Sequence, residues 1–103
     1  MSTKETFDRI KELVHQVLPD AKVTLFGSRA SGQVWEESDW DILIVDKGDV
    51  TKKTKDALHD ALYPLSVEIG SFIHFIATSE LDWNTHPQFY SLKLSIENNP
   101  VIA

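Results

Sequence analysis

Apolar and polar positions alternate along this chain with two different periods. In residues 3–18, Phe7, Ile10, Val14 and Val17 recur at helical spacing, and Leu13 and Leu18 widen the stripe. Ser2 followed by Glu5 fits a capping box, and Pro19 closes the segment, so the pattern predicts a helix over 3–18. Residues 21–26 (AKVTLF) predict a short strand broken by Gly27. Residues 28–34 allow one or two helical turns. Residues 40–46 (WDILIVD) hold four apolar residues in a row, Ile42 to Val45, which predicts a strand buried on both faces in its middle.

Lys47, Gly48 and Asp49 then form a turn. Leu58, Ala61, Leu62 and Leu65 mark a second helix over 51–63, with Asp49 or Thr51 as its cap. Pro64 is expected to kink or end it. Residues 71–78 (SFIHFIAT) are rich in aromatic and β-branched side chains and predict a third strand. The tail carries Trp83, Phe89, Leu92 and Ile96, and a short helix over 88–97 is expected to cover the sheet. Helical and strand patterns in alternation predict an α/β or α+β fold. The 103 residues make one domain, 1–103, without repeat or linker.

Composition narrows the chemistry. Hydrophobic residues make up 42% and charged residues 25%, the ordinary globular range. No apolar run is long enough to span a membrane, and the first residues (MSTKETFDRI) lack the apolar core of a secretory signal. There are no cysteines, which excludes a disulfide framework, a thiolate metal site and a cysteine nucleophile. The expected compartment is the cytoplasm. A formal net charge of −6 disfavours nucleic acid as a partner. The small cluster Lys52, Lys53 and Lys55 reads as a solvated helix face.

The candidate chemistry lies between the first two strands, in FGSRASGQVWEESDWDILIV. Gly27 lets the backbone turn sharply after a strand and lets a ligand approach closely. Ser28 offers a hydroxyl and a backbone N–H to an anionic phosphate. Arg29 adds a cation and Gly32 a second flexible point. Asp39 and Asp41 bracket Trp40 at the start of a strand, so both carboxylates point to one side. Two like charges side by side suit a divalent cation, Mg²⁺ or Mn²⁺, whose shell phosphate oxygens and water complete. A phosphate-binding turn beside such a pair points to phosphoryl or nucleotidyl transfer.

This segment resembles the signature of the polymerase-beta-like nucleotidyltransferase superfamily. Gly27 and Ser28, ten intervening residues, and Asp39-Trp40-Asp41 match its spacing. The form Gly-Ser-Arg-Ala-x-Gly followed by Ser-Asp-x-Asp and an apolar run is typical of the minimal nucleotidyltransferase group. The detailed match covers roughly residues 26–45. The resemblance implies a small mixed sheet covered by helices. It implies that Ser28 contacts the triphosphate and that Asp39 and Asp41 hold the metal. It implies transfer of a nucleoside monophosphate, AMP from ATP, to an acceptor hydroxyl. It also implies a HEPN-domain protein or other helical partner, as in toxin–antitoxin pairs. Separately, so small a domain has little surface for a large substrate, and the acceptor or a second subunit, such as another copy of the chain, is expected to complete the cleft. Active members carry a third carboxylate on the strand after the second helix. Here that strand reads Phe72-Ile73-His74-Phe75-Ile76, with His74 in the acid's place and Glu68 upstream as the other candidate. The alternative is therefore a catalytically degenerate nucleotide-binding or partner-binding module.

The remaining candidates are weaker. His15, His59 and His86 share no metal-ligand spacing, and Trp35, Trp40 and Trp83 are read as packing residues. Glu36 and Glu37 are read as a solvated loop, and Asp46 and Asp49 as structural.

Overall fold

The computed structural model describes residues 2–31 and 39–103. Gly32, Trp35, Glu36 and Glu37 lie outside the described residues. In chain order the elements are α1 (Thr3–Val17), β1 (Lys22–Phe26), α2 (Ser28–Ser31), β2 (Trp40–Asp46), α3 (Lys52–Ile69), β3 (Ile73–Ser79), α4 (Glu80–Thr85), a 3₁₀ turn (Pro87–Phe89) and α5 (Tyr90–Asn98).

The start of α1 is set locally. The Ser2 side chain accepts a hydrogen bond from the Glu5 amide at 3.1 Å, satisfying a donor that the first turn leaves open. The helix then buries Thr6, Phe7, Ile10 and Val14 on one face.

The strands form one mixed sheet in the order β1-β2-β3. β1 runs antiparallel to β2, and β2 parallel to β3. A parallel pair needs a long crossover, which α3 supplies. Val23, Leu25, Trp40, Ile42, Ile44 and Ala77 face α1 and α3, meeting Phe7, Ile10, Val14, Leu58, Leu62 and Leu65 in the core. Leu43 and Val45 project to the opposite face and are buried as well, as the continuous apolar run of β2 predicts. Burying each such aliphatic side chain is worth about 1.5–3 kcal/mol, so β2 anchors the sheet. The lysines at 52, 53 and 55 are exposed on α3, as expected.

Two expectations need correction. Pro64 does not end α3: the helix continues to Ile69. Leu65 behind it is buried in the core, and that burial, with Leu58 and Leu62, outweighs the hydrogen bond the proline removes. The helix stops at Gly70, whose left-handed backbone (φ 69°) lets the Gly70 and Ser71 amides bond back to Val67 and Ser66.

The tail also differs. Its residues divide into α4, a 3₁₀ turn and α5, so the expected single helix over 88–97 is preceded by a separate short one; none of α5 is fully buried, and Leu92 and Ile96 are half-buried. α4 starts at Ser79, whose hydroxyl accepts from the Asp82 amide at 3.1 Å. Beyond α5, Ile102 pairs with Leu25 on the outer edge of β1 through two backbone hydrogen bonds of 2.7 and 2.9 Å. Among the described residues no helix is long and apolar enough to cross a membrane.

Candidate functional site

The site is built where β1 ends and β2 begins. Gly27 leaves β1 with a positive φ of 78°, a conformation that an L side chain resists. A Cβ at Gly27 would run into a carboxylate oxygen of Asp41, and would lie 3.2 Å from its Cγ and 3.3 Å from its Cβ. The turn therefore needs glycine for two reasons: its backbone angle and the carboxylate packed against it. Ser28 follows as the first residue of α2 and is half-buried.

Asp39 immediately precedes β2 and is exposed; Asp41 is the strand's second residue and is half-buried. Alternation puts both on the sheet face opposite the core, while the intervening Trp40 is buried on the core side. Asp41 has Phe26 of β1 on one side and His74 of β3 on the other as direct strand partners. His74 also hydrogen bonds to Asp39, with Nε2 3.0 Å from Oδ2. Burial pushes the pKa of Asp41 above the usual aspartate range. The charge of Asp39 pushes the same way, and His74 opposes it. Loss of hydration and a like charge are what a bound cation would relieve.

Residues 5–86 match the family model of the nucleotidyltransferase domain. This chain belongs to that family. The match holds the Gly27-Ser28 turn, both aspartates and His74, and runs from α1 through α4. No curated protein matches the chain.

Within this nucleotidyltransferase domain, Arg29 is turned toward the core side of the sheet. Its guanidinium lies 4.4 Å over the Trp40 ring, and Nη2 donates to the Ser71 hydroxyl at 3.4 Å. Burial lowers its pKa, and the nearby Asp39 charge raises it. The charge thus sits within electrostatic reach of Asp39. Glu68, the other candidate for a third carboxylate, is exposed near the end of α3 and does not line the cavity at Asp39. His74 is the residue that the β2–β3 register brings to the pair.

Two cavities open near these residues. One, of about 500 Å³, reaches Asp39 and is walled by Tyr63, Val67, Ser71 and Phe72. The other, of about 400 Å³, opens on Gly27 and Ser28 and is walled by residues of α5 and the segment after it. Neither wall was singled out from the sequence. Phe72 carried a signal, since it shares a strand face with His74 and is largely exposed, with its ring 5.8 Å from the imidazole.

Among the described residues, no three His, Cys, Asp or Glu side chains converge as a metal cage. Two adjacent carboxylates fit a different arrangement, in which Mg²⁺ takes one or two protein ligands and completes its shell with water and substrate phosphates.

Proposed function

We propose that the domain transfers a nucleoside monophosphate, AMP from ATP, to an acceptor hydroxyl. Asp39 and Asp41 hold Mg²⁺ or Mn²⁺, and the Gly27-Ser28 turn receives the triphosphate. The observation that carries this reading is the packing of Gly27 against Asp41, which puts the phosphate turn and the carboxylate pair in one place. The metal, when bound, neutralises phosphate charge and lowers the pKa of the attacking hydroxyl. The chain's own groups position the reactants. Ser28 offers its hydroxyl and amide to phosphate oxygens, and His74 fixes the orientation of the Asp39 carboxylate. The acceptor hydroxyl gives up its proton to solvent as its oxygen bonds to the α-phosphorus, the bond from that phosphorus to the bridging oxygen breaks, and pyrophosphate leaves.

The cavity at Asp39, with exposed Tyr63 and Phe72 on its wall, suits an acceptor delivered by another molecule. A protein of the HEPN type, or another helical partner, fits this role better than a polynucleotide, given the net charge of −6. A second copy of the chain is the other arrangement, and the cytoplasm the matching compartment. The test uses ATP labelled at the α-phosphate, Mg²⁺ and the protein encoded by the neighbouring gene. Label should appear on an acceptor with the wild-type chain and not with Asp39→Asn/Asp41→Asn.

His74 favours a second reading. With a neutral or cationic imidazole beside Asp41 where active members carry an acid, the domain would bind nucleotide or a partner without transfer. Nucleotide binding that depends on Asp39 and Asp41, with no label moved to any acceptor, would establish that reading.

A further inference from the structure

We propose that the segment running from α5 to Ile102 forms the seat for the nucleoside end of the nucleotide, with Ser95 and Asn99 as the residues that read it. This rests on the proposed placement of the triphosphate at Gly27-Ser28.

The cavity beside that turn has two unlike sides. Phe26, Gly27 and Ser28 form one; Ser95, Ile96, Asn99, Pro100 and Val101 form the other. No charged side chain is among these described residues, and the Asp41 carboxylate that packs against Gly27 is not part of the lining. A nucleoside triphosphate has the same division: a charged chain of phosphates and an uncharged ribose and base. The phosphates belong toward the metal-binding pair, and the neutral end is left for the tail wall. That wall has suitable chemistry. Ile96, Pro100 and Val101 offer apolar surface to the flat face of a base, and the Ser95 hydroxyl and Asn99 amide can exchange hydrogen bonds with ribose hydroxyls or base edges. The volume of about 400 Å³ lies in the range of small-molecule sites.

The wall is held in place. Asn99 Nδ2 donates to the Ser95 carbonyl at 2.8 Å, joining the two polar residues. The paired backbone bonds between Ile102 and Leu25 fix the segment to β1 just ahead of Gly27. All of it lies beyond residues 5–86, the span matched by the family. Nucleotide choice would thus reside in a part of the chain that the shared domain does not dictate.

Two probes separate the ends of the ligand: Mg²⁺-ATP and Mg²⁺-tripolyphosphate, each titrated calorimetrically into the full chain. Asn99→Ala, at an exposed position, should weaken ATP about fivefold, the loss of one hydrogen bond, and leave tripolyphosphate unchanged. Ile102→Pro, which removes the amide that bonds to the Leu25 carbonyl, should weaken ATP at least as much. Melting curves accompany both variants, and if Ile102→Pro loses the fold, Asn99→Ala alone decides. ATP affinity unchanged in Asn99→Ala, or an equal loss for both probes, overturns the proposal. A wild-type chain that binds neither probe overturns the proposed function together with it.

Discussion

His74 stands directly opposite Asp41 in the parallel pairing of β2 and β3, and its Nε2 lies 3.0 Å from a carboxylate oxygen of Asp39. One imidazole thus touches one aspartate and neighbours the other. His74→Asp should place a third carboxylate beside the pair. The expected result is tighter Mn²⁺- and Mg²⁺-dependent ATP binding and transfer faster by about tenfold or more, toward the lower bound typical of a positioned proton acceptor. Metal titrations and the α-phosphate label assay check this. Unchanged rates would show that His74 does not stand in for an acid.

Gly27 and Gly70 share a left-handed backbone, with φ of 78° and 69°, but not their surroundings. An added Cβ at Gly70 meets no atom within 4 Å, while one at Gly27 strikes the Asp41 carboxylate. Gly70→Ala should cost only the backbone term, about 1–2 kcal/mol. Gly27→Ala should cost about 1–3 kcal/mol more, from overpacking, and should also displace Asp41 and abolish metal-dependent ATP binding. Urea denaturation and ATP titration of both variants distinguish the two.

The raised pKa of Asp41 has a sign that stability measurements can read. A carboxyl group whose pKa is higher in the folded chain favours folding below its unfolded pKa, and that contribution is lost as pH rises through the folded value. At neutral pH the ionised, half-buried Asp41 beside Asp39 is therefore a strain on the fold. Asp41→Asn should melt at a higher temperature than wild type at pH 7, and the gap should close below the ordinary aspartate pKa of about 3.9. Added Mg²⁺ should stabilise the wild type and leave the variant unmoved.

Pro64 interrupts the hydrogen bonding of α3 at an exposed position. Pro64→Ala restores a backbone donor without touching the core. It should raise stability by about 1–3 kcal/mol, less than the full helix-interior penalty because proline also stiffens the unfolded chain. A midpoint in urea no higher than wild type would mean that α3 already accommodates the proline by local adjustment.

The sequence exposes most of this architecture where local signals and burial agree. β2 is found at its full extent because Ile42 to Val45 form an unbroken apolar run. Ser2 and Thr51 both serve as the helix caps their residue types suggest. Pro64 misleads because a local breaker is overridden by Leu65, whose burial only the folded chain displays. The start of α4 was legible in principle, since Ser79 followed by Asp82 is a capping pattern, but the aromatic residues further on draw attention to 88–97 instead. At the site, the Gly-Ser and Asp-x-Asp spacing fixes which residues assemble. It does not reveal that Gly27 packs on Asp41, nor that Arg29 lies over Trp40, because both depend on strands brought together in space. The tail wall is invisible for the same reason.

Sheet order equals chain order here, so each strand pairs with its neighbour in sequence, β2 and β3 across the α3 crossover. The Ile102–Leu25 clip joins residues about three quarters of the chain length apart through one isolated bridge. Such a contact closes late in folding and opens first in the native state. The Ile102 amide should exchange with solvent deuterium orders of magnitude faster than the amides of β2, so one rim of the Gly27 cavity would breathe on its own clock while the strand that carries Asp41 stays shut.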